Sequence, residues 1–174
     1  VHKGKTIFVG DTSVHEYPTS EQMSEIAISA ARVVRLFGFE PKVAFVSHST
    51  FGQPLTSRTK HIKDAVEILK KKNVNFEFDG DMQPDVALDQ EYKSLYPFSK
   101  IVGNANILIM PGQHSAAISY KMMKTLGDTK VIGPLLIGLG LPIEIAPLRS
   151  STSEIINLAS IAAYSADVID YKKD

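Results

Sequence analysis

One segment, residues 146–155, places a cation, several hydroxyl groups and a carboxylate before an apolar run: Ala-Pro-Leu-Arg-Ser-Ser-Thr-Ser-Glu-Ile. Ser151 and Glu154 have the spacing of a capping box, in which each side chain bonds the backbone N–H of the other at a helix start. Arg149 has no such local role, because a cation beside a helix N-terminus opposes the helix dipole unless both face an anion. Arg149, Ser150 and Ser151 therefore indicate either a phosphate or carboxylate site or a capped helix alone.

The segment Ser47–Gln53 follows an apolar run and could hold an anion. Small hydroxyl residues with a glycine let backbone N–H groups approach an oxyanion, which makes Ser49, Thr50 and Gly52 candidate ligands. The alternative is a polar turn that caps the next helix. His48, in the same segment, is interpreted as an ordinary hydrogen-bonded or surface histidine.

A second turn of this type, Pro111–Ser115, also follows an apolar run. Gly112 permits a tight bend, and Ser115 is predicted to cap the following helix. His114 could bind an anion or move a proton there, or it could be a simple helix-start residue.

The elements that position these residues follow from apolar periodicity and from capping signals. Strands alternate with helices, which predicts an α/β fold of three layers, α/β/α, with a mostly parallel sheet and helices on both faces. Ligands of such sheets bind beyond the carboxyl ends of the strands, where the three polar segments fall. The predicted strands are 6–9, 42–46, 74–78, 106–110 and 130–137, and the predicted helices are 19–37, 56–72, 84–92, 115–126 and 151–166.

Composition excludes several classes of partner. Lysine plus arginine and aspartate plus glutamate both number 19, so no basic surface is expected and nucleic acid is not a predicted partner. The chain has no cysteine, which fits the reducing cytoplasm. Glycines, prolines and a glutamate interrupt the apolar run 131–148, so it does not predict a membrane span. A chain that begins at Val1, inside a strand-like segment, is interpreted as part of a longer protein.

No metal site is predicted. The five histidines, at positions 2, 15, 48, 61 and 114, include no pair at helical ligand spacing, so zinc is not indicated. The run Asp79-Gly-Asp81 does not match a calcium-binding loop and is predicted to be a solvated turn.

Five segments along the chain carry a family resemblance. They are Asp11-Thr-Ser-Val-His-Glu-Tyr-Pro-Thr19, Phe45-Val-Ser-His-Ser-Thr-Phe-Gly52, Asp79-Gly-Asp-Met-Gln-Pro-Asp85, Asn104-Ala-Asn-Ile-Leu-Ile-Met-Pro111 and Gly133-Pro-Leu-Leu-Ile-Gly-Leu139. Together they resemble the phosphate acetyl/butyryltransferase family, and they are most similar to the C-terminal phosphotransacetylase-like domain of hybrid NADP-dependent malic enzymes. The resemblance covers nearly the whole chain in order. It implies a phosphotransacetylase-like fold and assigns residues 1–174 to the C-terminal portion of that domain, with the malic enzyme core and the first half of the domain outside the chain.

The resemblance also implies a ligand and roles for particular residues. Phosphotransacetylases use an arginine and an acidic base to transfer an acetyl group between acetyl phosphate and coenzyme A. Arg149 and Glu154 are thus the catalytic candidates. Glu154 aligns with the base, whereas Leu148 aligns with the arginine and Arg149 falls one residue late. Phe51 stands where the family often has a cation.

These departures favour a domain that binds acetyl-CoA without turnover, because a misplacement of about 1 Å can cost a factor of about 100 in rate. The resemblance then implies a regulatory and oligomerisation domain, in a homo-oligomer, that responds to acetyl-CoA or CoA. The partner would be a malic enzyme core that holds NADP and a divalent metal. An active phosphate acetyltransferase and a purely structural assembly domain are the alternatives.

Overall fold

The structure, a computed structural model, describes residues 1, 4–127, 129–139 and 141–168. His2, one of the five histidines, lies outside the described residues. The elements in chain order are β1 (Phe8–Gly10), α1 (Ser20–Leu36), β2 (Lys42–Val46), α2 (Ser57–Lys72), β3 (Glu77–Met82), α3 (Pro84–Leu88), α4 (Gln90–Ser94), β4 (Ile107–Ile109), α5 (Gln113–Leu126) and α6 (Thr152–Val168).

The four strands form one parallel sheet in the order β1-β4-β2-β3. Alternate residues of β2 point to opposite faces, as strand geometry requires. Val43 and Phe45 join a core with α1 and α2. Ala44 and Val46 join a second core that includes residues of α3 and α5. The predicted parallel α/β fold with helices on both faces of the sheet is confirmed.

Both ends of α1 follow from its sequence. Thr19 accepts from the N–H of Gln22 at 3.2 Å, and the Gln22 side chain accepts from the N–H of Thr19 at 2.8 Å, so a capping box begins the helix. At the other end Gly38 has a φ of 81°, and its N–H donates to the carbonyl of Arg35. A glycine takes this left-handed conformation without strain, which explains why the helix stops there.

The predicted strand at 130–137 is wrong. Residues 130–137 form no strand with the described part of the chain, and the backbone of Lys130 bonds that of Val1, at 3.0 and 2.6 Å. Pro134 lacks the N–H that a ladder needs, and Gly133 has a φ of 119°, which is not a strand conformation. Its apolar residues are half-buried or exposed, so a composition typical of a buried strand occurs here without one.

Other element boundaries also differ from the prediction, most of all those around β3 and α3. The helix predicted at 84–92 is divided into α3 and α4, because Asp89 is extended and its carboxylate accepts from the N–H of Glu91 at 2.9 Å. The strand predicted at 74–78 begins at Glu77 and continues to Met82. Asp79 and Asp81 therefore lie in a buried strand and not in a solvated turn.

The C-terminal third exposes much of its apolar surface. α5 buries only Ala116, and α6 buries only Leu158, among the residues that the structure describes. None of the described helices is long and apolar enough to cross a membrane. The exposed residues, which we call the apolar face, are Ile118, Met122, Met123, Leu126, Ile132, Ile137, Leu139, Leu141, Ile143, Ile145, Leu148, Ile155, Ile156, Tyr164 and Val168.

Candidate functional site

The Ser47–Gln53 loop leaves β2 at the carboxyl edge of the sheet and is fastened to the end of β3. The N–H of Ser47 donates to the carbonyl of Met82 at 2.9 Å. Gln83 donates from its backbone to the hydroxyl of Thr50 at 3.2 Å and from its side chain to the carbonyl of His48 at 3.0 Å. These bonds give the loop a fixed shape at the edge where the sequence predicted a site.

Asp81 of β3 accepts hydrogen bonds from this loop. It is 2% exposed, and its carboxylate accepts from the hydroxyl of Ser49 and, at 3.0 Å, from the N–H of Gly52. Its carbonyl accepts from the N–H of Phe51 at 2.6 Å. Two of the three anion ligands predicted in this loop, Ser49 and Gly52, thus already donate to a carboxylate within the protein. An oxyanion would have to compete with Asp81 for both donors.

Phe51 packs on aromatic side chains. Its ring centroid lies 4.8 Å from that of Phe98 and 5.5 Å from that of Tyr96. Its φ of 50° is a left-handed conformation that costs an L-residue about 1–2 kcal/mol. The ring contacts and the hydrogen bond to Asp81 offset that cost. The position where a cation was expected from the resemblance therefore supplies apolar packing.

A histidine–carboxylate pair follows β1, and sequence reasoning did not find it. Asp11, whose side chain is 3% exposed, lies 2.7 Å from Nδ1 of His15. The same carboxylate accepts from the N–H groups of Val14 and His15 at 3.1 and 3.2 Å. The available signal was an aspartate at a strand end with a histidine four residues later. The pair fixes this loop beside the end of β4.

The turn after β4 brings α5 close to that loop. A Cβ on Gly112 would lie 2.7 Å from the carbonyl oxygen of Glu16, so only glycine fits there. His114 is exposed, with Nε2 3.6 Å from a carboxylate oxygen of Glu16 and its ring stacked on Tyr17 at 6.4 Å. The predicted cap at Ser115 is wrong, because α5 begins at Gln113 and the Ser115 hydroxyl donates to the carbonyl of Gly112 at 2.8 Å.

At the start of α6 the predicted capping box is present. The N–H of Ser151 donates to Glu154 at 2.8 Å, and the N–H of Glu154 donates to the Ser151 hydroxyl at 3.3 Å. Lys124 of α5 also bonds Glu154, at 3.0 Å. The N–H of Ser151, followed by Lys124, lowers the pKa of Glu154 to about 2. A carboxylate with so low a pKa is a weak proton acceptor near neutral pH.

Arg149 lies exposed just before this helix. It has no hydrogen bond or ion pair with any residue that the structure describes, and its neighbour Leu148 is fully exposed. The hydroxyl of Ser150 is buried and, among the described residues, without a hydrogen-bond partner. The guanidinium and the first N–H groups of α6 are thus near each other in the chain, and Arg149 is available to a ligand.

The structure does not link the predicted site residues into one network. Within the described part of the chain, no hydrogen bond or ion pair joins residues 149–154 to the Ser47–Gln53 loop or to His114. The same part contains no group of three or more histidine, aspartate or glutamate side chains that could hold a metal ion. Among the described residues, the candidates therefore lie in polar loops that no hydrogen bond or ion pair connects.

A parallel sheet with helices on both faces and polar loops at its carboxyl edge defines the class of domain, a three-layer α/β domain. The family described as phosphate acetyl/butaryl transferase matches residues 1–163, and the chain belongs to that family.

Two kinds of sequence relative match the chain. An NADP-dependent malic enzyme of Rhizobium meliloti (strain 1021) is 46% identical over 164 residues, which are 94% of this chain and 22% of that protein. A phosphate acetyltransferase of Clostridium acetobutylicum is 36% identical over 162 residues, 92% of this chain and 49% of that protein. The chain therefore spans less than a quarter of the malic enzyme and about half of the transferase.

Solved structures agree with the fold. The EutD phosphotransacetylase from Staphylococcus aureus superposes with a TM-score of 0.89 at 28% identity, over 95% of this chain and 52% of that chain. A phosphotransacetylase from Streptococcus pyogenes gives 0.87 at 31% identity, over 94% and 50%. The described fold is thus that of one half of a phosphotransacetylase.

Proposed function

We propose that the chain is the C-terminal, acetyl-CoA-sensing part of an NADP-dependent malic enzyme. Residues 1–174 would form the C-terminal portion of a phosphotransacetylase-like domain. A core elsewhere in the same protein would carry NADP and a divalent metal and would decarboxylate malate oxidatively to pyruvate. The relative that is 46% identical over 94% of this chain carries the name of such an enzyme.

The contrast between Arg149 and Glu154 carries this proposal. Arg149 is exposed and unpaired among the described residues, so it is free to pair with a phosphate of CoA. Glu154 is held by Ser151 and Lys124 with a pKa of about 2, and it is a poor base for a thiol. A domain with an available cation and an occupied base binds its ligand without transferring the acetyl group.

Acetyl transfer would require a base that is free to accept the proton of the CoA thiol. The CoA thiol must lose its proton as its sulfur attacks the acetyl carbon, and phosphate must leave with the electrons of the broken C–O bond. In this chain the carboxylate of Glu154 would accept that proton, and its hydrogen bond with Lys124 would first have to break. Measurable exchange between acetyl phosphate and CoA would therefore favour the transferase alternative.

The test uses the whole protein that contains this chain. Malate-dependent NADPH formation is measured with and without acetyl-CoA, in the wild type, in Arg149→Ala and in the control Lys71→Ala, whose side chain is exposed on α2. We expect acetyl-CoA to inhibit the wild type and the control, and we expect Arg149→Ala to need about tenfold more acetyl-CoA. Inhibition that survives deletion of residues 1–174 would exclude the sensor role.

The apolar face favours a second role, which is assembly. Contiguous exposed apolar surfaces of more than a few hundred Å² mark interaction sites. On α5, Ile118, Met122 and Leu126 lie at successive i, i+4 positions and are 57%, 54% and 80% exposed. We propose that a second copy of this chain covers this face, which would make the protein a homo-oligomer.

A further inference from the structure

A depression lies between α4 and the segment that enters β4. Its volume is about 190 Å³, and its walls include Lys93, Tyr96, Ser99, Ile101 and Gly103. Pockets that hold drug-sized ligands are larger, about 300–1,000 Å³. The depression therefore has room for a small molecule only.

Lys93 is the unusual residue of this depression, because lysines are seldom buried without a charged partner. It is 8% exposed, and its Nζ donates to the carbonyl of Gly103, another residue of the wall. The described residues offer Nζ no second hydrogen bond and no carboxylate within ion-pair distance. An ammonium has three N–H donors, so two of them need an acceptor from outside the described protein atoms.

Ser99 adds a second unused donor. Its hydroxyl is buried and has no hydrogen-bond partner in the described part of the chain. Its backbone N–H donates to the carbonyl of Tyr96 at 3.0 Å, which fixes the residue in the wall. Buried hydroxyl groups are rarely left unpaired in proteins, and an unmade bond costs about 1–3 kcal/mol. Two kinds of unsatisfied donor thus belong to one depression.

The carboxylates near Lys93 bond other groups in the described part of the chain, so none of them forms an ion pair with Lys93. Lys42, beside it, pairs with Glu77 at 3.7 Å. Asp79 accepts from the backbone N–H groups of Lys100 and Gly80 at 2.7 and 3.0 Å. Burial, followed by the charge of Lys42, lowers the pKa of Lys93, whereas Glu77 and Asp79 act in the opposite direction. An anion in the depression would stabilise the charged form.

We infer that this depression binds a small organic acid, whose carboxylate accepts from Nζ of Lys93 and from the hydroxyl of Ser99. The hydrocarbon part of the ligand packs on Tyr96 and Ile101. None of the wall residues belongs to the loops at 47–53, 111–115 or 146–155, although Tyr96 of the wall packs on Phe51 of the first loop, at 5.5 Å.

The test follows the backbone amide resonances of Ser99 and Gly103 in the purified protein while propionate, inorganic phosphate or chloride is added at constant ionic strength. We expect saturable shifts with propionate. Lys93→Met keeps the apolar stem but loses the charge, and we expect it to weaken the binding of propionate at least about tenfold. Ser99→Ala should weaken the binding of propionate about threefold, since the substitution removes one neutral hydrogen bond.

Lys100→Met is the matched control, because it removes an exposed charge nearby and leaves the backbone N–H that bonds Asp79. Its affinity should stay within about twofold of the wild type. Ser99→Ala keeps the test decisive if Lys93→Met does not fold. Absence of saturation, equal shifts with chloride, saturation by phosphate but not propionate, or unchanged affinity in Ser99→Ala would each overturn the inference.

Discussion

At the scale of single residues, Asp81 receives three hydrogen bonds from the loop that follows β2. The hydroxyl of Ser49 and the N–H of Gly52 donate to its carboxylate, and the N–H of Phe51 donates to its carbonyl. Replacing the side chain would remove the charged acceptor of both donors and leave the part-buried N–H of Gly52 without its protein acceptor, whereas the Ser49 hydroxyl would keep only Ser47, at 3.2 Å. Each lost bond costs about 1–3 kcal/mol, so this carboxylate holds the loop in place.

We predict that Asp81→Ala lowers the free energy of unfolding by about 2–5 kcal/mol, because both donors lose a charged acceptor. Chemical denaturation followed by circular dichroism measures this change. The control is Asp64→Ala, an exposed position on α2, for which a change below about 0.5 kcal/mol is expected. Equal stability of the two variants would show that Asp81 does not support the loop.

At the scale of elements, Glu154 connects α5 to α6. Ser151 and Lys124 lower its pKa from 4.5 to about 2 in the folded protein. A carboxylate whose pKa falls on folding stabilises the fold when it is ionised, which it is above the unfolded value. That contribution is complete above pH 4.5 and is lost as the pH falls towards 2.

We predict that the amide protection of α6 decreases between pH 4.5 and about 2 in the wild type and much less in Glu154→Gln. Glutamine still accepts from the N–H of Ser151, so the capping box survives, but it has no charge for Lys124 and does not titrate. Hydrogen exchange, corrected for the intrinsic rate at each pH, measures the protection. A parallel decrease in both proteins would assign the effect to other carboxylates.

The elements that the sequence predicted well are those with local signals. Thr19 and Gln22 mark the start of α1, and Ser151 and Glu154 mark the start of α6, because a capping box depends on residues only three apart. Apolar runs identified the buried strand β2 to the residue. The strand predicted at 130–137 failed because exposed apolar residues have the same composition as a buried strand.

The candidate site was predicted less well, since its geometry depends on contacts between distant residues. Ser49 and Gly52 were chosen as anion ligands from their types, but their donors go to Asp81, about thirty positions along the chain. Arg149 was predicted to bind an anion because a cation beside a helix N-terminus opposes the helix dipole. The structure leaves this side chain exposed, and anion binding there stays a prediction. No periodicity could have indicated that Asp81 would be buried beside Ser49.

At the scale of the whole molecule, the distribution of apolar surface is uneven. The parallel sheet has a core on each face, formed with α1 and α2 on one side and with α3 and α5 on the other. Beyond that core, α5, α6 and the segment between them expose most of their apolar side chains. Hydrophobic burial stabilises by about 25 cal/mol per Å² of apolar surface, so covering such a face is strongly favourable.

We predict that the purified protein self-associates through this face and that Met122→Glu, alone or with Ile118→Glu, shifts it towards the monomer. A carboxylate placed in an apolar interface loses its hydration without gaining a partner, which costs several kcal/mol. Sedimentation velocity over a range of protein concentrations measures the association, and circular dichroism checks that the variants remain folded.

Lys60→Glu on α2 is the control, because it introduces a carboxylate at an exposed position outside the apolar face. We expect its association to match the wild type, since exposed substitutions away from an interface change free energies by about 0.5 kcal/mol or less. A wild-type protein that is monomeric at every concentration would show that a second copy does not cover this face.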